Sequence, residues 1–194
     1  MTKMEKVEFL TTAVNSQGFP KNRSYPEIAV VGRSNVGKSA LLNHLFKTKG
    51  FVKTSSTPGK TRAIQFFLTD DTLLFADLPG YGYAQVSKGE KKKWQELIES
   101  YLETHPSLIL FLLDCRRTPT QEDLMMLEWI RANNISTLAI ITKVDKLKQS
   151  ERVKQERLIS QFLGEIPYIL YSVPKNRGRS PLLAQIREVL FPCS

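Results

Sequence analysis

The feature that most constrains this chain is Gly32-Arg-Ser-Asn-Val-Gly37-Lys38-Ser39, set between the apolar run Glu27–Gly32 and the helix-like stretch Ser39–Phe46. It matches GxxxxGK[ST] in the strand–turn–helix setting that this pattern requires. The glycines let the backbone fold around a phosphate with its N–H groups pointing inward, and the helix that starts there adds positive potential. Lys38 then reaches the β and γ phosphates as a point charge, and the Ser39 hydroxyl can hold Mg²⁺. Gly32, Arg33, Ser34, Asn35, Val36, Gly37 and Ala40 complete the expected cradle. A turn that ends in Lys-Ser by chance is the competing reading, which the flanking elements disfavour. The cradle alone does not select a nucleotide.

Apolar runs and amphipathic stretches alternate along the whole chain. Ala63–Thr69 and Thr72–Ala76 flank Asp70-Asp71, which predicts a hairpin. Ser87–Leu102 reads as a helix, with Ser87 and Glu90 spaced as a capping box. Ser107–Leu113 is apolar throughout, the mark of a strand covered on both faces. A helix capped by Thr120 follows over Gln121–Asn133, then a strand at Leu138–Ile141, a helix at Ser150–Leu163 and a strand at Ile166–Tyr171. Ser180-Pro181 is expected to open the final helix. This alternation predicts an α/β fold in three layers, a mostly parallel sheet with helices on both faces. Residues 1–25 read as an N-terminal extension and 26–194 as a single nucleotide-binding domain. The loops after the strands share one edge, where ligands bind.

Two more motifs fall on that edge. Asp77-Leu-Pro-Gly80 ends a strand. Its acid can hold Mg²⁺ through water, and Gly80 can bring its N–H against a γ-phosphate. Thr142-Lys143-Val144-Asp145 follows another strand. The Asp145 carboxylate can accept both the ring N–H and the amino group of guanine, a donor pair that adenine lacks. Lys143 can cover the base with its stem, and Ser172, followed by Val173, can support the same base from its loop. Between the first two motifs lies Thr57-Pro-Gly59-Lys60-Thr61-Arg62. Thr61 is the candidate for a second Mg²⁺-binding hydroxyl, with Thr57 or a plain solvated loop as alternatives. The stretch Lys47–Arg62 reads as a loop that a γ-phosphate could order.

Charge narrows the class of partner. Twenty-eight Lys and Arg face nineteen Asp and Glu, a net charge of +9. From Ile28 to Thr69 there is no acid, while Arg33, Lys38, Lys47, Lys49, Lys53, Lys60 and Arg62 are all basic. Lys175, Arg177, Arg179 and Arg187 face Glu188 alone near the C-terminus. Such clustering suits a polyanion, although a merely soluble basic surface is the plainer reading. Lys88 and Lys91–Lys93 can be read either way. A 41% hydrophobic composition is enough for a core and excludes a disordered chain. Cys115 and Cys193 form no metal spacing and fit a reducing compartment. No membrane span, signal peptide or lipid motif is visible, so a cytoplasmic monomer is expected.

GRSNVGKS, TPGKTR, DLPGYGYA, DCRRTPTQED and TKVD, in this order, resemble the YihA/YsxC (EngB) family of bacterial ribosome-assembly GTPases, from about Pro26 to the last helix. The resemblance implies a Ras-like fold of six strands, a Mg²⁺-dependent GTPase acting in maturation of the large ribosomal subunit, and a link to cell division and septation. It carries over Gly37, Lys38 and Ser39 as phosphate and magnesium residues and Thr61 as the switch threonine. Asp77 and Gly80 become the Mg²⁺/γ-phosphate pair, and Lys143 and Asp145 the guanine readers. Two positions depart from the family pattern. Gln65 precedes Phe66-Phe67 where an Asn is usual, and the base-supporting loop reads Tyr171-Ser172-Val173-Pro174-Lys175.

Tyr81 stands where many GTPases have the Gln that orients the attacking water. GTP hydrolysis should therefore be slow without a partner. Asn35 could hold K⁺, which would neutralise developing phosphate charge, or could simply close its own turn. Competing functions are a binding module with vestigial hydrolysis, an ATP-using phosphotransferase and a trafficking switch. Tyr81 leaves the first open; TKVD opposes the second, and the basic balance and missing lipid motifs oppose the third. His44 and His105 lack a paired acid, Trp94 and Trp129 suit packing, and Asp114 with Arg116 suits an ion pair.

Overall fold

The structure is a computed structural model that describes residues 4, 6–21, 24–52, 63–82 and 88–192; within 88–102 the side chains of Lys88, Glu90, Lys91 and Trp94 are not described. Among the described residues, seven strands form one sheet: β1 (Val7–Ala13), β2 (Glu27–Gly32), β3 (Ile64–Thr69), β4 (Leu73–Asp77), β5 (Leu108–Asp114), β6 (Thr137–Thr142) and β7 (Tyr168–Leu170). Five α-helices accompany them among the same residues: α1 (Lys38–Leu45), α2 (Lys88–Leu102), α3 (Gln121–Ala132), α4 (Gln149–Leu163) and α5 (Arg179–Leu190). Spatial order in the sheet is β1-β3-β4-β2-β5-β6-β7. β4, β2, β5, β6 and β7 run parallel, and β3 is antiparallel to both its neighbours.

The strands read as continuous apolar runs because both their faces are covered. In β5, Leu108, Leu110 and Leu112 belong to one core, while Ile109, Phe111 and Leu113 belong to the other. The first core is closed by Leu41, Leu42 and Leu45 of α1 with Leu182 and Ile186 of α5. The second is closed by Leu97 and Tyr101 of α2, Leu127 and Ile130 of α3, and Ile159 and Leu163 of α4. Trp129 packs against that second core. Helices on both faces of a mostly parallel sheet make the expected three layers. Among the described residues no helix is long and apolar enough to cross a membrane.

The six-strand expectation is corrected to seven. The added strand is β1, from the segment read as an extension; it pairs with β3 from Val7↔Thr69 to Ala13↔Ile64. Its hydrophobic signal is thin, since only Val7, Phe9, Leu10 and Ala13 are apolar in VEFLTTA. Phe9 nevertheless meets Phe67 edge-on, with ring centroids 5.8 Å apart. The start of the last helix is corrected too. Gly178, at φ 92°, is its N-cap, and Pro181 falls inside the first turn. The left-handed backbone that ends the preceding loop favours glycine over Ser180 at the cap. Thr120 and Asp123 form the predicted cap of α3. Of the proposed box, Ser87 lies outside the described residues and the side chain of Glu90 is not described.

β2 is the point where the connections change side, with β4 on one flank and β5 on the other. The phosphate-loop pattern begins at the carboxyl end of this strand, where open α/β sheets bind their ligands.

Candidate nucleotide site

Gly37 is the N-cap of α1, at φ 116°, a backbone conformation that glycine adopts without a Cβ penalty. Gly37 has no side chain to cap this helix, and no acid lies in its first turn. The N–H groups of that turn therefore lack intrahelical acceptors and present an uncompensated positive end. Gly80 closes the cradle from the other side. A Cβ there would lie 2.8 Å from both N and Cα of Ser34, and 3.1 Å from Lys38 Nζ. The Ser34 N–H donates to the Tyr81 carbonyl at 2.8 Å. The phosphate loop and the DxxG turn are thus in direct contact, with the Lys38 ammonium beside both.

The charges here are poised for a ligand. Burial lowers the Lys38 pKa, and the Asp77 carboxylate only partly offsets that. Burial likewise raises the Asp77 pKa, against Lys38 and Ser39. Ser39 Oγ lies 3.5 Å from Asp77 Oδ2. Asp77 Oδ1 is buried without a hydrogen-bond partner among the described residues. An orphaned carboxylate oxygen beside a hydroxyl fits a hard divalent cation that takes its remaining oxygens from phosphates and water. Among the described residues no three His, Cys, Asp or Glu cluster as a metal cage. Thr57, Gly59, Lys60 and Thr61 lie outside the described residues.

The TKVD segment is bolted to the phosphate loop. Thr142 Oγ1 lies 2.8 Å from the Val36 carbonyl and 3.1 Å from that of Leu113, donating to one at a time. Lys143 Nζ donates to the Asn35 carbonyl at 2.6 Å and to Asp114 Oδ2 at 2.9 Å. Burial disfavours ionised Asp114, but hydrogen bonds from Arg116 and Lys143 outweigh it and hold the carboxyl down to about 2. The expected Asp114–Arg116 pair is present at 2.7 Å, and its further role in anchoring Lys143 was not legible from spacing. Lys143 itself is left-handed at φ 61°, and its carbonyl accepts from the Cys115 thiol at 3.1 Å.

The structure brings Asp145 and Ser172 together. Ser172 Oγ donates to Asp145 Oδ1 at 2.7 Å, and this bond is the main cause that draws the Asp145 carboxyl below its ordinary range. The loop from Ser172 to Arg177 is closed by paired backbone bonds of 3.0 and 2.9 Å between those two residues. Val173 is part of that loop and is 37% exposed. Asn35, at φ 61°, is exposed on the outer turn of the phosphate loop.

This arrangement matches known proteins. The family model described as 50S ribosome-binding GTPase matches residues 27–143. A probable GTP-binding protein EngB of Protochlamydia amoebophila is 47% identical, covering 98% of this chain and 97% of that protein. This chain belongs to the EngB family of GTP-binding proteins. A family member from Geobacter metallireducens is 42% identical over 97% of this chain and 94% of its own length. A crystal structure of a probable EngB shares the fold at TM-score 0.70 and 23% identity, covering 84% of this chain and 98% of that one. Era, solved with MgGDPNP and a segment of 16S ribosomal RNA, aligns at TM-score 0.65 and 25% identity, covering 88% of this chain and 58% of Era. As an EngB-family member, the protein has the GTPase fold and binds guanine nucleotide.

Sequence reasoning missed one contact at the DxxG turn. The Tyr81 hydroxyl donates to Asp123 Oδ1 at 2.8 Å, while Asp123 Oδ2 accepts from the N–H and hydroxyl of Thr120. Burial, then the Asp123 carboxylate, raises the Tyr81 phenol well above its ordinary pKa, so it remains a donor. Nothing in DLPGYGYA alone announces a partner in α3.

Proposed function

We propose that this EngB-family protein is a GTP-driven switch in assembly of the large ribosomal subunit, with slow hydrolysis unless a partner or K⁺ assists. Lys38, with the N–H groups that open α1, binds and orients the β and γ phosphates. Ser39 and Asp77 would hold Mg²⁺, with Thr61 as a further ligand, and the ion would neutralise developing phosphate charge. Gly80 offers its N–H to the γ-phosphate, and Lys143, Asp145 and Ser172 read the base. The observation that carries slow turnover is Tyr81. It occupies the position after DxxG, it is not an amide, and its hydroxyl is committed to Asp123.

The ribosomal partner is supported by the description of the matching family, by the RNA bound to Era, and by the basic segments of this chain. Exposed Lys47, Lys49, Lys92 and Lys93 are candidates to face RNA; Lys92 also lies 3.8 Å from Glu96. Co-sedimentation with large subunits should retain the protein with a non-hydrolysable GTP analogue and not with GDP. Retention should fall steeply with salt, as phosphate contacts do. Equal retention with both nucleotides would leave a basic RNA-binding module with vestigial hydrolysis, the second reading that Tyr81 favours. If Asn35 holds K⁺, replacing KCl by NaCl at equal ionic strength should slow turnover by about tenfold or more. Equal rates in the two salts remove that role.

A further inference from the structure

His44 lies near the carboxyl end of α1, far along the helix from the phosphate loop, yet its ring contacts the base-supporting loop and the residue that precedes it. Its Nε2 is 3.0 Å from Asn176 Oδ1, an acceptor, so that nitrogen carries the proton. Its Nδ1, 2.7 Å from the Tyr171 hydroxyl, is then the acceptor of the neutral ring. The imidazole also meets the Tyr171 ring edge-on at 5.6 Å. Arg179 of α5 binds the same helix end, donating from Nε to the His44 carbonyl at 3.0 Å and from Nη2 to that of Leu45 at 2.7 Å. Tyr171 immediately precedes the loop that carries Ser172, and Asn176 lies within it. His44 therefore grips the base-supporting loop at both ends.

We infer that His44 is a positioning residue for base readout: its neutral imidazole fixes the Ser172–Arg177 loop, so guanine-nucleotide affinity falls as the ring takes up a proton. This inference rests on the assignment of Asp145 and Ser172 to the base. The path is short. Asn176 holds the loop, its backbone donates to the Val173 carbonyl at 3.1 Å, and Ser172 presents its hydroxyl to Asp145. A protonated ring carries hydrogen on both nitrogens, so the Tyr171 hydroxyl must turn to accept from Nδ1, and its own hydrogen then loses the ring as acceptor in a buried place. Among the described residues, the groups facing the ring are Tyr171, Asn176 and Arg179. Tyr171 stays protonated because burial raises its pKa, and the Arg179 guanidinium opposes a second positive charge.

The pH range of the effect follows from where the ring protonates. Burial first, with Arg179 in support and Asn176 opposing, lowers the His44 pKa below 6.5. The contribution of the neutral ring is present in full above that value and is lost as pH falls through the lowered one.

The test compares GDP affinity of the wild type, His44→Ala and His44→Gln between pH 5.5 and 8. Glutamine keeps an amide donor for Asn176 and does not titrate. At pH 8, His44→Ala should bind about tenfold more weakly, the size of one well-made hydrogen bond. From pH 8 to pH 5.5 the wild type should lose several-fold more affinity than His44→Gln. Ionisation of the GDP phosphate is common to both proteins and cancels in their ratio. A wild-type to Gln ratio that does not change with pH overturns the inference, as does unaltered binding by His44→Ala. If His44→Ala does not fold, the ratio alone decides. Wild-type binding of ADP as tight as GDP at pH 8 would instead overturn the base-site assignment beneath it.

Discussion

Replacing Lys38 by Ala is expected to weaken GTP binding by roughly two to three orders of magnitude. Lys38 is half-buried, and burial already lowers its pKa. An ammonium held in a desolvated position gains more from a polyanion than an exposed one does. At about 3 Å and an effective dielectric near 20, one charge pair is worth on the order of 5 kcal/mol. Part of that is returned by water in the variant, which leaves roughly 3–4 kcal/mol. Asp77 would then keep its burial and lose its neighbouring cation, so its carboxyl would protonate at higher pH and serve a divalent cation less well. Lys38→Arg should rescue poorly, since the ammonium already lies 3.1 Å from the place a Gly80 Cβ would occupy and a guanidinium is larger. A calorimetric nucleotide titration reads all three proteins. Near-normal affinity in Lys38→Ala would remove the phosphate-loop assignment.

That prediction could be made from Gly32–Ser39 alone, because a phosphate cradle is a local structure. Its strand, turn and helix are contiguous, and each residue type has one reason to be there. The same holds for Asp77-Leu-Pro-Gly80 and for the two-faced burial of Leu108–Leu113. Features that join distant segments are less legible. β1 is stabilised by pairing with β3, and its own alternation is too weak to announce it. The Tyr81–Asp123 bond spans 42 positions and the contact of His44 with Asn176 spans 132. In both cases each residue has an ordinary local reading, the first as part of a turn and the second as one face of a helix. Asp114 falls between these cases. Its pair with Arg116 is two residues long and could be anticipated, whereas its bond to Lys143 depends on how β5 and β6 are placed side by side.

Asp145→Asn is expected to weaken guanine-nucleotide binding by about 10²–10³-fold and to transfer the preference to xanthine. Guanine presents two donors on one edge, its ring N1–H and its exocyclic amino group, and two carboxylate oxygens accept both. In this chain Asp145 is prepared for that task. Ser172 donates to Oδ1 at 2.7 Å, Lys146 lies 3.7 Å from Oδ2, and the hydrogen bond from Ser172 leads in holding the carboxyl ionised. Asparagine turns one acceptor into a donor, which faces the guanine amino group donor to donor and leaves both unpaired. Xanthine carries a carbonyl in place of that amino group and restores the match, while Ser172 can still donate to the remaining amide oxygen. Acid cannot imitate the variant. The Asp145 pKa is lowered from 3.8, so its contribution is complete above that value and is lost only as pH falls below it. A loss of GDP affinity between pH 5.5 and 7 that His44→Gln abolishes therefore belongs to His44, and one that Asp145→Asn converts into xanthosine diphosphate binding belongs to the base contact. Competition between GDP and xanthosine diphosphate for the variant decides the second point. Continued preference for GDP would place the base elsewhere on the sheet edge.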